Sequence, residues 1–169
     1  MLLPILKYGA NELKAGSRPV DHFNGELEEI AQNMIETMYA APGIGLAAPQ
    51  VGLGIRVATI DLSVGEDASQ LYTLCNPEIE LVEGEQKSEE GCLSIPDFSE
   101  VIVRPRRMVV KGFDLHGDEI RIEAEGLLAR CLSHEIDHLN GVLFIDHLSP
   151  LKRNLIRTKI RKLSKAGEW

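Results

Sequence analysis

The chain has 169 residues, 44% of them apolar and only 5% aromatic, which is enough for one ordinary domain with a core of aliphatic side chains. Its formal charge of −8 is unevenly spread: residues 152–169 hold seven Lys or Arg against Glu168 alone, and the rest holds eleven against twenty-five acids. An acidic body of about −14 excludes general or sequence-specific nucleic-acid binding there, because phosphate contacts need clustered cations.

The three cysteines, Cys75, Cys92 and Cys131, are odd in number and widely spaced, and no basic segment followed by an apolar stretch and a cleavage site precedes them. That pattern predicts a reducing, cytoplasmic setting. The uncharged stretch Thr37 to Ile55 is long enough to suggest a membrane span, but Pro42, Pro49, Gln50 and four glycines would leave its backbone unsatisfied in lipid. No membrane partner is expected.

In chain order, Leu27, Ile30, Ala31, Met34, Ile35 and Met38 recur at helical spacing and predict an amphipathic helix over 26–39. Pro-Gly-Ile-Gly-Leu-Ala-Ala-Pro-Gln, residues 42–50, breaks that helix and reads as an extended segment or loop with close backbone approach. Strand-like runs follow at 55–61, 71–75, 78–82, 101–104, 108–115 and 119–125, with turn signals such as Leu115-His-Gly-Asp118. A second helix is predicted over 127–140, ended by Gly141, and Ser149 with Pro150 caps a last, basic helix reaching about Lys165. The expected fold class is α+β: mostly antiparallel sheets packed around a central metal-binding helix, with N-terminal and C-terminal helices. One catalytic domain is expected over 1–169.

The second helix carries His134-Glu-Ile-Asp-His138. On a wheel of about 100° per residue with Cys131 at zero, His134 falls near ~300°, His138 near ~340° and Glu135 near ~40°. The two histidines are one turn apart and can reach a common ion at about 2.0–2.1 Å, with Glu135 beside it. Leu127, Leu128, Cys131, Leu132, Ile136 and Leu139 share their arc, while Arg130, Ser133, Asp137 and Asn140 lie opposite. Two histidines and a glutamate on an apolar face are costly without a strong partner, and a bound cation supplies one. The alternative is a pair of core histidines satisfied by hydrogen bonds.

A catalytic site has three protein ligands and an open position, so a third must come from elsewhere. Cys75, Cys92, Cys131, His22, His116, His147 and many carboxylates are candidates. Cys131 is on the right face but too short to reach an ion between the turns of His134 and His138, so it is expected to pack. Cys75 reads as a buried small hydrophobe. Cys92 is preferred because Gly91 and Pro96 suggest an irregular segment able to present a thiolate, against the structural role usual for a lone cysteine.

Together, Gly43-Ile-Gly-Leu-Ala-Ala-Pro-Gln50, Glu90-Gly-Cys-Leu-Ser94 and His134-Glu-Ile-Asp-His138 resemble, in order, the three signature motifs of the peptide deformylases. The run His138-Leu-Asn-Gly-Val-Leu-Phe-Ile-Asp146 matches as well, and the resemblance covers nearly the whole chain. It implies a metal-dependent hydrolase that removes the N-formyl group from the starting methionine of newly synthesised polypeptides and releases formate. It also implies one divalent ion on Cys92, His134 and His138, with Fe(2+) native and Zn(2+), Ni(2+) or Co(2+) able to substitute. Such an ion yields a nucleophile from water near neutral pH, with Glu135 taking and returning the proton. The Gln50 amide and the Leu93 N–H are implied to stabilise charge on the formyl oxygen.

By the same resemblance, Gly43, Ile44 and Gly45 form an edge along which an extended peptide pairs. Ile44, Leu127 and Cys131 line the methionine pocket, with His134, Glu90 and Gly91 beside the substrate. Arg104 and Asp137 are candidates to orient the ligating histidines, or form an ordinary surface pair. The basic C-terminal helix is either a solvated face or a docking element for the ribosome. Two positions depart from the family pattern: Tyr8-Gly-Ala-Asn-Glu-Leu-Lys14 lacks the usual Pro-Asp and Leu-Arg, and Ser99 replaces a substrate-contacting arginine of some bacterial members. The rival readings are a zinc metallopeptidase, which expects a downstream histidine or glutamate ligand, and a noncatalytic peptide-binding module, which needs neither Glu135 nor Gln50.

Overall fold

A computed structural model describes residues 1–169. Helix α1 spans Gly25–Ala40, and the Asn24 side chain caps it by accepting from Leu27 N at 3.1 Å. Its buried face, Leu27, Ala31, Met34 and Met38, is the stripe the spacing predicts. The segment after it becomes a short strand, β1 (Gly45–Ala47), followed by a 3-10 turn over Ala48–Val51 that buries Gln50.

Strands β2 (Val57–Ile60), β3 (Tyr72–Cys92), β4 (Ile95–Phe113) and β5 (Glu119–Glu125) complete a five-stranded sheet in the order β1-β2-β3-β4-β5, antiparallel throughout. The fold class is α+β, as expected. The sequence suggests short separate runs at 71–75, 78–82, 101–104 and 108–115, whereas the molecule joins them into two long strands. A bulge at Asn76–Pro77, with Asn76 at φ 51°, lets β3 pass the break. Beyond it, Glu83 to Glu89 is mostly polar and exposed, so it carries no apolar period, yet it pairs residue by residue with Val101 to Arg107. Arg107 reaches Glu83 at 3.1 Å across that ladder.

A second difference concerns Cys92. It is the last residue of β3, paired with Ile95 across the two-residue turn Leu93-Ser94, and the irregularity expected near it is a register break in which Pro96 to Phe98, with Asp97 at φ 69°, bulge out between the Cys92–Ile95 and Gly91–Ser99 pairs. The tight turn and the bulge beside it explain the small and polar residues there.

Helix α2 (Gly126–Leu139) packs across β4, β1 and β2. Gly141 follows it at φ 76°, and a Cβ there would lie 2.7 Å from the Lys14 carbonyl oxygen, so both backbone and space require glycine. The wheel is corrected at two residues: Leu127 is 52% exposed at the helix start, and Arg130 is only 5% exposed because it finds buried partners. Helix α3 (Pro150–Lys165), capped by Ser149, buries only Ile156 and Ile160 and leaves Leu151 and Leu155 in solvent. No helix is long and apolar enough to cross a membrane.

Candidate metal centre and active site

Helix α2 and the β3–β4 turn meet at one cluster of donors. His138 Nε2 lies 3.1 Å from His134 Nε2 and 3.3 Å from Cys92 Sγ, and the three ligand atoms all fall within 4.8 Å of one another. Donors this close together need a shared proton or a cation between them. A tetrahedral ion with bonds of about 2.0–2.1 Å to nitrogen and 2.3 Å to sulfur spaces its ligands by roughly 3.4–3.6 Å, so the donor set fits. The electrostatics agree: burial lowers the basicity of His134, but Glu135 and the hydrogen bonds of Cys92 and Glu90 more than reverse it. The carboxylates that raise it also favour positive charge beside the ring. At His138, burial and then the charge of His134 push the ring toward its neutral, ligating form.

Cys131 stays outside the cluster, as expected, with Sγ turned toward the Ile44 carbonyl at 3.7 Å and its thiol pushed well up by burial. Cys75 is fully buried and equally inert, pushed up to about 11 by burial.

Arg104 and Asp137 do not touch the ligand rings. They pair with each other at 2.5 Å, and Asp137 also bonds His147 at 2.7 Å. The side chain that orients His134 is Glu90, whose Oε2 lies 2.8 Å from Nδ1. Glu90 in turn accepts a bidentate grip from Arg104, at 2.6 and 3.1 Å, and a bond from Arg130 at 2.8 Å. Burial alone would raise the Glu90 carboxyl, yet its bonds with His134 and Arg104 hold it well below the usual range. An ionised Glu90 fixes Nδ1 as donor and turns the His134 Nε2 lone pair toward the cluster. His138 Nδ1 has no protein partner, and the polar contacts of that ring run through Nε2 to His134 and Cys92.

Glu135 is 4% exposed, and Oε1 is buried without a partner. Burial pushes its carboxyl up to about 7, against the pull of His134, and a cation beside it favours the carboxylate. The strand β1 passes directly over it: a Cβ on Gly45 would lie 2.5 Å from Glu135 Oε2 and 2.9 Å from Cys131 Sγ. Only glycine allows that approach.

Gln50 has both ends assigned by its neighbours. Oε1 accepts from Ala47 N at 2.9 Å, so Nε2 faces Ser94 Oγ at 3.1 Å and Cys92 Sγ at 3.7 Å. At 2% exposure Gln50 is not a solvated turn amide. Ser94, part of the second motif but without an anticipated role, also donates its backbone N–H to Cys92 Sγ at 3.4 Å.

The cluster opens into a cavity of about 880 Å³. Gly43, Ile44, Gly45 and Gln50 form one wall, Glu90 to Leu93 another, and Leu127, Arg130, Cys131, His134 and Glu135 a third along α2. Of the anticipated site residues only His138 lies behind the cavity surface. Ser99 stands at the rim and donates to Glu89 at 2.8 Å. Arg130 is the residue that sequence reasoning missed; its four-residue spacing from His134 was the available signal.

The family model for polypeptide deformylase matches residues 2–154. A peptide deformylase of Thermodesulfovibrio yellowstonii is 53% identical over 160 residues, covering 95% of this chain and 97% of that protein. One from Acidobacterium capsulatum is 48% identical over 169 residues, covering 100% and 99%. The crystal structure of a peptide deformylase from Legionella pneumophila superposes with a TM-score of 0.92 at 41% identity, over 99% of this chain and 98% of that one. A peptide deformylase from Ehrlichia chaffeensis in complex with actinonin gives 0.88 at 37% identity, over 95% and 96%. The chain therefore belongs to the polypeptide deformylase family.

Proposed function

We propose that Cys92, His134 and His138 hold one divalent ion and that Glu135, Gln50 and Leu93 act on the substrate beside it. Together they would carry out the activity of the family, removal of the formyl group from nascent peptides. The observation that carries the assignment is the convergence of Sγ and two Nε2 atoms next to a buried, half-unpartnered Glu135. An ion held there supplies a Lewis acid and a nucleophile derived from water.

The protein's own groups do the rest. Glu135 Oε1, free of other bonds, accepts the proton from attacking water and passes it to the leaving amine nitrogen. The Gln50 amide, held by Ala47 and Ser94, offers an N–H to the formyl oxygen as charge develops, and the Leu93 N–H adjoins it in the turn. Gly43, Ile44 and Gly45 offer a backbone edge to the peptide, and Ile44, Leu127, Cys131, Glu90 and Gly91 border its first side chain. A metallopeptidase reading is disfavoured because His147, the nearest downstream histidine, pairs with Asp137 while Cys92 completes the cluster.

Fe(2+) is the proposed native ion, by likeness to bacterial members of the family. Two imidazoles and a thiolate accept Zn(2+), Ni(2+) or Co(2+) as well. We further place the enzyme in the cytoplasm as one catalytic domain, with α3 docking on the ribosome through its exposed cations. Because Ile156 and Ile160 join the core, reversing Lys159, Arg161, Lys162 and Lys165 to Glu tests docking better than truncation. Ribosome cosedimentation that is unchanged and salt-insensitive would refute it.

The direct test is anaerobic purification, metal analysis, and formate release from a formyl-methionyl peptide. Wild type should release formate, and Glu135→Ala should keep its metal and lose about 10²–10⁴-fold in rate. Equal rates for the two proteins would remove Glu135 from the chemistry.

A further inference from the structure

One wall of the cavity is not held by the sheet. Pro96, Asp97, Phe98 and Ser99 line it, yet no residue of β3 pairs with Pro96, Asp97 or Phe98. Asp97 is in the left-handed region, which a residue other than glycine keeps only when its surroundings oblige it. The brace for this bulge comes from beyond helix α3.

That helix ends in a turn that reverses the backbone. Gly167, at φ 74°, donates its N–H to Ser164 O at 3.1 Å, and Glu168 N donates to Leu163 O at 2.8 Å, the pair of bonds by which a glycine closes a helix and folds the chain back. The reversal delivers Trp169, the only tryptophan in the sequence, to the bulge. Its ring meets Phe98 edge to face, with centroids 6.0 Å apart and planes at 66°, and Lys7 Nζ lies 5.9 Å over the indole. The indole Nε1–H donates to Tyr8 O at 2.9 Å, while Tyr8 N donates to Ser94 O at 2.8 Å and Arg157 Nε to the Tyr8 hydroxyl at 3.1 Å. Tyr8 thus ties the indole to α3 on one side and to the β3–β4 turn on the other. Arg157, Gly167 and Trp169 all lie beyond residues 2–154, the span that the family model matches.

We propose that Trp169 is a positioning residue, setting the Pro96–Phe98 wall in place before the peptide arrives. This rests on the deformylase reading above. Residues of β1, β3 and α2 border the first methionine in that reading, so the bulge is left to face the residues that follow it. A wall that must be ordered on binding costs affinity. Losing the brace should therefore appear in KM and leave kcat, which is set beside Glu135, unchanged.

The test measures metal content, and kcat and KM for formate release from a formyl-methionyl tripeptide and from formyl-methioninamide, which has no residue to reach the bulge. Trp169→Ala should raise KM for the tripeptide about two- to tenfold, the energy of one aromatic pair, with kcat, metal content and the KM of the amide as in wild type. Phe98→Ala should raise the same KM, and the double variant should be no worse than Phe98→Ala alone, because both changes remove one contact. An unchanged tripeptide KM in Trp169→Ala, an equal loss on both substrates, a loss of metal, or effects that multiply in the double variant would overturn the proposal. If wild type releases no formate from either substrate, the deformylase reading fails instead.

Discussion

Helix α2 and the turn between β3 and β4 bring donors to the same point by opposite means. In α2 the positions of His134 and His138 follow from one helical turn, held by the helix's own hydrogen bonds, and their Nε2 atoms meet at 3.1 Å. The cysteine side depends on distant partners. Cys92 is set by the pairing of a 21-residue strand with a 19-residue strand, by Gln50 and the Ser94 N–H on its sulfur, and by Tyr8 N donating to Ser94 O at 2.8 Å. A slip of one residue in that hairpin would turn Sγ to the other face of the sheet. Glu90 ties the two halves together, bonding His134 and Arg130 from a strand position two residues before Cys92. The helix makes half of the centre locally; the hairpin makes the other half only when the whole sheet is in register.

Removing one ligand from each side is the largest perturbation. His138→Ala and Cys92→Ala should both reduce metal content to a small fraction of wild type and formate release to background, measured on protein purified anaerobically. The two should differ in collateral damage: Cys92→Ala also strips an acceptor from Gln50 Nε2 and Ser94 N. Wild-type metal content in Cys92→Ala beside loss in His138→Ala would mean that the turn is not a ligand donor.

The same contrast explains what could be read in advance. His134, Glu135 and His138 announce themselves because their chemistry and spacing lie within five residues of one helix. The extent of α1 is legible for the same reason, from its local period, and the start of α3 from its Ser149 and Pro150 cap. The length of β3 and β4 was not, because Glu83 to Glu89 owes its strand conformation to cross-strand partners rather than to its own composition. Cys92 is one ligand candidate among several on its local chemistry, and Gln50 becomes a donor candidate only through likeness to a family. Arg130 was misplaced because a wheel counts hydrophobicity and cannot see a carboxylate arriving from another strand.

The tie between the halves can be cut separately. Arg104 is 2% exposed at its side chain and answers both Glu90 and Asp137. Arg104→Met leaves those carboxylates short of a partner and should cost about 3 kcal/mol in denaturant unfolding. If α2 is as self-sufficient as its geometry implies, metal affinity should fall less than tenfold to a hundredfold, the range seen when a group orienting a ligand is lost. A larger fall would mean that the Glu90 bridge, not the helix, fixes His134.

Gly45→Ala probes the approach of β1 to α2 without touching either set of ligands. The added methyl meets the buried Glu135 carboxylate at 2.5 Å and Cys131 Sγ at 2.9 Å, so overpacking should cost about 1–3 kcal/mol of stability. The carboxylate displaced by about 1 Å should cost about 10²-fold in kcat with metal retained. Full activity would show that Glu135 works from more than one position.

The smallest effect lies outside both elements. Tyr39 on α1 donates to Asp61 after β2 at 2.5 Å, and Asp61 also accepts from Ser63 and from Gly65 N. Burial, with help from Asp61, pushes the Tyr39 phenol up to about 12 from 10.0. Because the folded pKa is the higher one, the folded state binds the proton more tightly and stability must fall as pH rises from about 10 to about 12. Tyr39→Phe should cost about 1 kcal/mol at neutral pH and should lack that alkaline loss. The metal stays bound in the variant, since neither helix α2 nor the hairpin turn has been touched. A chemical denaturation series from pH 8 to about 12 separates the outcomes. Parallel curves for the two proteins would show that the phenol is not held by Asp61, and a loss of metal would show that the centre depends on α1 after all.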